Sequence, residues 1–208
     1  EYSGDYSGES VSLSSDGYTV AIGAHNNSWL NAQSTPSGNN GYNAGHVRVY
    51  RWNGTIWSQL GTDIAGEASY DYSGISVSLS SNGDLVAIGA PGNDQSATDA
   101  GHTKVYKYNG TVWNQIGQDI DGDNVMNGSS GRSVSLNGNG NILSIGAYGD
   151  NGNGFNSGHV RLYHYNNGLW TQFGQDLDGE NAGDYSGHCV SISSDGYTVA
   201  IGGYNNDG

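Results

Sequence analysis

Cations, prolines and cysteines are all scarce in this chain. Six Lys and Arg stand against 20 Asp and Glu, a formal charge of -14 over 208 residues. Neutralising nucleic-acid phosphates takes clustered Lys and Arg, so nucleic acid is excluded as a partner. A single cysteine, Cys189, permits no internal disulfide. No apolar run approaches the length of a membrane span, and no charged start followed by an apolar stretch marks a signal peptide. Two prolines leave the turns to 36 glycines. Charged residues are only 12%, whereas 15 Tyr and 5 Trp are present, so the chain has material for a core and is not the highly charged, aromatic-poor polymer that stays disordered.

What the chain has in abundance is repetition. A period of roughly 57 residues divides it into 1–66, 67–122, 123–179 and a partial 180–208. Asp5-Tyr6-Ser7-Gly8 returns as Asp71-Tyr72-Ser73-Gly74 and Asp184-Tyr185-Ser186-Gly187, and the copy near Met126 to Gly131 diverges. A run alternating Ser with Val or Leu follows each time, as in Ser10-Val11-Ser12-Leu13. Its period of two predicts a strand. Asp16-Gly17, Asn82-Gly83, Asn139-Gly140 and Asp195-Gly196 supply hairpin turns, and Val20-Ala21-Ile22-Gly23-Ala24 with its equivalents forms a second strand. Gly45-His46-Val47-Arg48-Val49-Tyr50 begins a third, and a fourth carries Trp57, Trp113 or Trp170. Each full repeat is then a four-stranded antiparallel meander with large residues on one face and small ones on the other. Such sheets must stack, and radial stacking of four-stranded units describes blades of an all-β propeller. Three meanders and an extra hairpin leave apolar faces at both ends. We therefore expect further blades or self-association to cover Val11 and Leu13, or Val190 and Ile192.

These residues resemble the FG-GAP repeats of integrin-α-like β-propellers: Gly74 before Ser76-Val77, then Val86-Ala87-Ile88-Gly89-Ala90-Pro91, then the strand ending in Val-Tyr. Serine stands at Ser7, Ser73, Ser130 and Ser186 where the family has Phe, and only the second copy keeps Gly-Ala-Pro. The resemblance implies an adhesive or structural role at a cell surface or in an extracellular filament, and a protein or glycan partner there. It also implies calcium in the loop between the first two strands. That loop holds at most one carboxylate per copy here, too few for a hard cation, so calcium is not carried over to it. No resident cofactor is expected.

Other chemistry-bearing residues follow the period. His46, His102 and His159 recur at one place, whereas catalysis needs one asymmetric constellation. Together with a Cys189 that lacks any Cys-His-Asn grouping, this leads to the expectation that the module is not an enzyme and that Cys189 is a small buried thiol. Arg48, Lys104 and Arg161 share a position and are expected to pair with repeated carboxylates as ties between blades. The three tryptophans are expected in the core, although sugar stacking is an alternative that would make a carbohydrate-binding propeller. Asn-x-Ser/Thr triplets at Asn26, Asn53, Asn109 and Asn127 are candidate glycosylation sites, the middle two on equivalent turns. The loop bearing Asp150, Asn151 and Asn153 is a weak calcium candidate. One long loop, 25–43, breaks the repeat, and His25, Trp29, Leu30 and Tyr42 in it are the candidate ligand-binding residues.

Overall fold

A computed structural model describes residues 4–28 and 41–207. Those residues form seventeen short strands and no helix. The first blade contains β1 (Ser7–Leu13), β2 (Thr19–Ala24), β3 (His46–Trp52), β4 (Trp57–Gln59) and β5 (Ile64–Ala65). The second contains β6 (Ser76–Leu79), β7 (Leu85–Ala90), β8 (His102–Tyr108), β9 (Trp113–Gln115) and β10 (Ile120–Asp121). The third runs β11 (Ser130–Leu136), β12 (Ile142–Ala147), β13 (His159–Asn166), β14 (Leu169–Gln172) and β15 (Leu177–Asp178). A hairpin of β16 (Ser186–Ile192) and β17 (Val199–Gly203) begins a fourth. All pairs within a sheet are antiparallel, in the order β1-β2-β3-β4 and its equivalents. The expected all-β propeller segment is what the chain forms.

One feature of each blade differs from the expected meander. The outer strand is broken: β4 pairs with Tyr50–Trp52, and β5 returns to pair with His46 and Val47. Gly61, at φ 68°, lies in the break, as do Gly117 and Gly174 in the other two blades. Left-handed backbone of this kind suits residues without a Cβ.

Neighbouring sheets approach through their first strands, β1 against β6, β6 against β11, and β11 against β16, so these strands face the axis. The packing rule is simple. The large side of each blade faces the preceding blade and the small side faces the next. Val77 and Leu79 pack on Ala21, Val47 and Val49, and Val134 and Leu136 pack on Ala87 and Val105. Small side chains on the receiving face let the sheets approach, and a Cβ at Gly23, Gly89 or Gly146 would collide with the carbonyl of Gly74, Gly131 or Gly187. Serines on the first strands stitch the same interface: Leu79 N–H donates to Ser12 Oγ (2.9 Å), Leu136 N–H to Ser78 Oγ (2.9 Å) and Ile192 N–H to Ser135 Oγ (3.1 Å).

Two expectations about burial are corrected by this rule. Trp170 is buried at 3% exposure and Trp113 packs partly buried, but Trp57 is 46% exposed because no described blade precedes it. Cys189 is exposed and not a buried thiol. Its equivalents Ser76 and Ser133 donate to Gly131 O and Gly187 O of the following blade, each at 2.8 Å, and the described residues include no blade following that of Cys189.

Candidate functional site

The repeated histidines are buried, as a structural role requires. His159 Nδ1 lies 3.1 Å from Asp150 Oδ1. His102 Nδ1 finds no hydrogen-bond partner among the described residues, and burial, with Lys104 adding to it, pushes its pKa down to about 4. All three repeat cations are paired. Arg48 Nη2 meets Asp63 at 2.9 Å, Lys104 Nζ meets Glu67 and Asp119, and Arg161 holds Asp123 and Asp176 at 2.6 Å each. Asp63, Asp119 and Asp176 belong to the cation's own blade. Glu67 and Asp123 lie in the connections ahead of the second and third blades and join them to the cation, and among the described residues a separate ion pair, Arg51 Nη2 to Asp84 Oδ1 at 2.9 Å, ties the first blade to the second.

The candidate loop at Asp150 is self-satisfied. Asp150 Oδ1 accepts from Gly152 N–H (3.0 Å) besides facing His159, and the hydrogen bond from His159 holds its carboxyl below the usual carboxylate range. Asn151 Oδ1 accepts from Asn156 N–H (2.8 Å), and Asn153 Nδ2 donates to Gly179 O (2.9 Å). Asn53 and Asn109 are exposed turn residues whose Oδ1 atoms accept from the N–H groups two and three residues on, those of Thr55 and Ile56 and of Thr111 and Val112. Asn26 is half-buried, and Asn127 is exposed at φ 61°.

A different set of residues gathers at the axis. Tyr6, Tyr72, Ser129 and Tyr185 occupy one repeat position, and all have left-handed backbone, φ 52° to 56°. Non-glycine residues rarely adopt that region, and such strain clusters at functional sites. The turn precedes a bulge that shifts register between Ser7 and Ser10, Ser130 and Ser133, and Ser186 and Cys189, and bulges re-aim side chains. Directly after each second strand come His25, Pro91, Tyr148 and Tyr204. Three residues beyond the left-handed one, directly after the bulge glycine, the copies diverge completely, into Glu9, Ile75, Arg132 and His188.

Most of these positions line a cleft of about 670 Å³ whose walls include His25, Tyr72, Arg132, Tyr148, Tyr185 and Tyr204, with Asp99, Asn127 and Asn156 at its polar edge, while Tyr6 and His188 pack behind the lining on His25 and Tyr204. Its aromatic rings form two groups. Tyr6 stacks on His25 (centroids 5.5 Å, 30°), which approaches Tyr72 at 6.2 Å. Tyr185 stacks on Tyr204 (5.1 Å, 16°), and His188 meets Tyr204 edge-on at 4.7 Å and Tyr148 at 5.7 Å. Arg132 Nη2 lies 3.5 Å from His188 Nε2. Burial lowers the pKa of His25 and of His188, and Arg132 adds to both effects. At neutral pH the imidazoles are therefore uncharged, and the Arg132 guanidinium is the cation of the wall, with Asp99 as its anion.

Of the four residues expected from the long loop, His25 is in the cleft, Tyr42 is exposed away from its lining, and Trp29 and Leu30 lie outside the described residues. The tyrosines, Arg132 and His188 were not anticipated. Their signal was available in the aligned repeats, as the first-strand position at which the copies disagree in chemical class.

No protein-family model matches the chain, and no curated protein sequence does. Among solved structures, a Bacteroides uniformis protein described as a putative 6-phosphogluconolactonase superposes with a TM-score of 0.59 at 14% identity, over 92% of this chain and 46% of its own. Hydrazine synthase of Kuenenia stuttgartiensis gives 0.55 at 12% identity, over 97% of this chain and 45% of its own. Sqt1 of Saccharomyces cerevisiae gives 0.53 at 12% identity, over 86% and 38%. The chain thus spans less than half the length of each. At such identities the likeness extends to the fold alone. It nevertheless corrects the expectation that the module is not an enzyme: the architecture that the Bacteroides protein shares over 92% of this chain goes with an enzyme description there. A repeated blade pattern is therefore no ground for excluding catalysis.

Proposed function

We propose that the chain is the recognition module of a secreted or surface-displayed adhesive protein, and that its axial cleft takes a neutral polyhydroxylated ligand of the glycan class. The observation that carries this reading is the pair of aromatic groups across the cleft, Tyr6-His25-Tyr72 and Tyr148-Tyr185-Tyr204 with His188. Aromatic rings offer an apolar face and, in tyrosine, a polar tip. A sugar ring offers the reciprocal pattern of C–H faces and equatorial hydroxyls. Arg132, Asn127 and Asn156 supply donors at the edge, and the charges of Arg132 and Asp99 offset each other, which favours a neutral ligand over an ionic one. Concave sites of this volume with a few convergent polar groups are the usual form of small-ligand sites. An extracellular setting is consistent with the acidic surface and with the exposed triplets at Asn53 and Asn109.

A glycan array followed by calorimetry tests the reading. Tyr148→Ala and Tyr204→Ala should each weaken the selected glycan at least about tenfold, the equivalent of 1.4 kcal/mol, while leaving the strand circular dichroism unchanged. If no glycan binds, or if both variants bind as the parent does, the reading fails. A second reading, structural assembly, is favoured by the exposed Val11, Leu13 and Trp57 of the first blade.

A further inference from the structure

We propose that Asn167 is a site of spontaneous modification, at which the side-chain amide is lost through a cyclic succinimide to give aspartate and isoaspartate. The backbone nitrogen of Gly168, having given up its proton, attacks the side-chain carbonyl carbon of Asn167. A C–N bond closes a five-membered ring and ammonia leaves. Water then opens the ring. Breaking the new C–N bond gives aspartate, and breaking the original peptide bond gives isoaspartate, in which the chain runs through the former side chain. Nothing is oxidised or reduced, and the inference is independent of the axial cleft and its ligand.

Glycine hinders such an attack least, and the chain has ten Asn-Gly pairs, of which Asn40-Gly41 is not wholly within the described residues. Ring closure needs a glycine N–H that is free to react and an asparagine side chain that is free to turn. In six of the remaining pairs the glycine N–H is held: Gly83 donates to Ser80 O, Gly128 to Val125 O, Gly138 to Ser194 O, Gly140 to Asn137 O, Gly152 to Asp150 Oδ1 and Gly154 to Asn151 O, at 2.9–3.2 Å. In two more the side chain is held. Asn53 Oδ1 accepts from Thr55 and Ile56 N–H at 3.0 Å each, and Asn109 Oδ1 from Thr111 and Val112 N–H at 2.9 Å each. Asn167 and Gly168 are both exposed, and neither the side chain nor the glycine N–H has a partner among the described residues.

The difference arises from one step in sequence. Asn53 and Asn109 open the connection between the third and fourth strands of their blades, where the side chain can cap it. In the third blade the Asn-Gly pair stands one place further along the same connection. Asn166 there pairs with Leu169, and Asn167 and Gly168 form a two-residue hairpin turn with φ 52° and 85°, the pattern that Asn-Gly favours. The asparagine side chain is thereby left at the tip. Isoaspartate adds a methylene to the backbone of this turn, so Asn166 and Leu169 can no longer meet in register. The next residue, Trp170, is buried at 3% exposure and bound to the second blade's outer segment: its N–H donates to Gln118 Oε1 (3.1 Å), its carbonyl accepts from Gln118 Nε2 (2.7 Å), and its indole donates to Ile116 O (3.1 Å). Damage at an exposed tip therefore reaches the contact between two blades.

The test is to age the full chain at mildly alkaline pH, folded in buffer and unfolded in urea, and to follow each Asn-Gly pair by peptide mapping and enzymatic methylation of isoaspartate. In the folded protein Asn167 should react at least about tenfold faster than each of the other eight fully described pairs, the equivalent of 1.36 kcal/mol of barrier, and faster still as pH rises. In urea the nine rates should converge, because the hydrogen bonds that distinguish them are gone. Asn167→Gly removes the amide and keeps a residue suited to φ 52°. Aged parent should unfold at lower urea than fresh parent, whereas aged Asn167→Gly should match its fresh form. The proposal is overturned if another of these pairs leads in the folded protein, or if Asn167 keeps its amide as long as the held pairs do. Isoaspartate at 167 with an unchanged unfolding midpoint overturns the link to the Trp170 contact.

Discussion

The repeat supplies its own control for the claim that blade position decides what a tryptophan contributes. Trp170 and Trp57 occupy one strand position, yet they are 3% and 46% exposed. Trp170 donates its indole N–H to Ile116 O at 3.1 Å and packs against Tyr165 at 5.1 Å. A buried tryptophan removes about 150–250 Å² from water. At about 25 cal/mol per Å² this amounts to roughly 4–6 kcal/mol, and measured truncations of buried aromatics cost about 3–5 kcal/mol. Trp57 keeps about half its surface in solvent and retains its contact with Trp52 at 5.8 Å, so truncation there should cost about 2–3 kcal/mol. Trp170→Ala and Trp57→Ala should therefore separate by about 2 kcal/mol or more in urea unfolding followed by far-ultraviolet circular dichroism, at protein concentrations low enough to keep the chain monomeric. Equal losses would show that Trp57 is covered in solution, and the reasoning from an open leading face would be wrong.

Acid should weaken the fold before the ion-paired carboxylates Asp63, Asp119 and Asp176 respond. The folded-state pKa of His102 is about 4 against 6.5 for the free side chain, so between those values the unfolded chain takes up a proton that the native one refuses. Stability then falls with decreasing pH across this window by up to about 3 kcal/mol. Asp63, Asp119 and Asp176 have pKa values held below 3.8, and their contribution is lost only below the window. His102→Gln should flatten the dependence of the unfolding midpoint between pH 6.5 and 4, and an unchanged slope would reject the assignment. Gly89→Ala should cost several times more than Gly202→Ala in chemical denaturation of the monomer, because only the former forces two sheets apart; equal costs would rule out carbonyl contact as the reason for glycine.

The blades were legible because each strand repeats a period-two pattern three or four times, and repetition suppresses chance. Ile64-Ala65, Ile120-Asp121 and Leu177-Asp178 are pairs, too short to carry any period, so the return of the outer strand was not legible. The environments of Trp57 and Cys189 escaped for another reason. Sequence equivalence predicts equivalent surroundings only when each copy has neighbours on both sides, and these two residues face the ends of the arc. The cleft was missed because a repeat comparison rewards agreement. Its residues lie where the copies differ: Glu9, Ile75, Arg132 and His188 on the first strand, and His25, Pro91, Tyr148 and Tyr204 after the second. Only His25 was reached, through the unusual length of the loop that follows it.

The divergent third copy shows how a repeat replaces a contact while keeping its electrostatics. In the other three copies an Asp before the first strand accepts from an Asn after the second: Asn27 Nδ2 to Asp5 (2.9 Å), Asn93 to Asp71 (3.4 Å) and Asn206 to Asp184 (3.0 Å). The third copy has Gly128 at the Asp position and Asp150 at the Asn position. One carboxylate survives the exchange, moved to the other side of the contact, where it meets His159 at 3.1 Å. We propose that Asp150 serves as the structural anion of its blade. Asp150→Asn removes a charged acceptor, and hydrogen bonds to charged groups contribute roughly 1.5–3 kcal/mol, so a loss in that range is expected. Adding Gly128→Asp to the same chain rebuilds the pair found in the other copies. A Cβ at Gly128 would come no closer than 3.3 Å to the Val125 carbonyl, so the site needs only a small adjustment to accept the side chain. The double variant should regain most of the lost stability, with or without added calcium. If the second substitution adds to the damage, or if calcium raises the melting temperature of the parent but not of Asp150→Asn, the exchange of roles is refuted and a metal ligand takes its place.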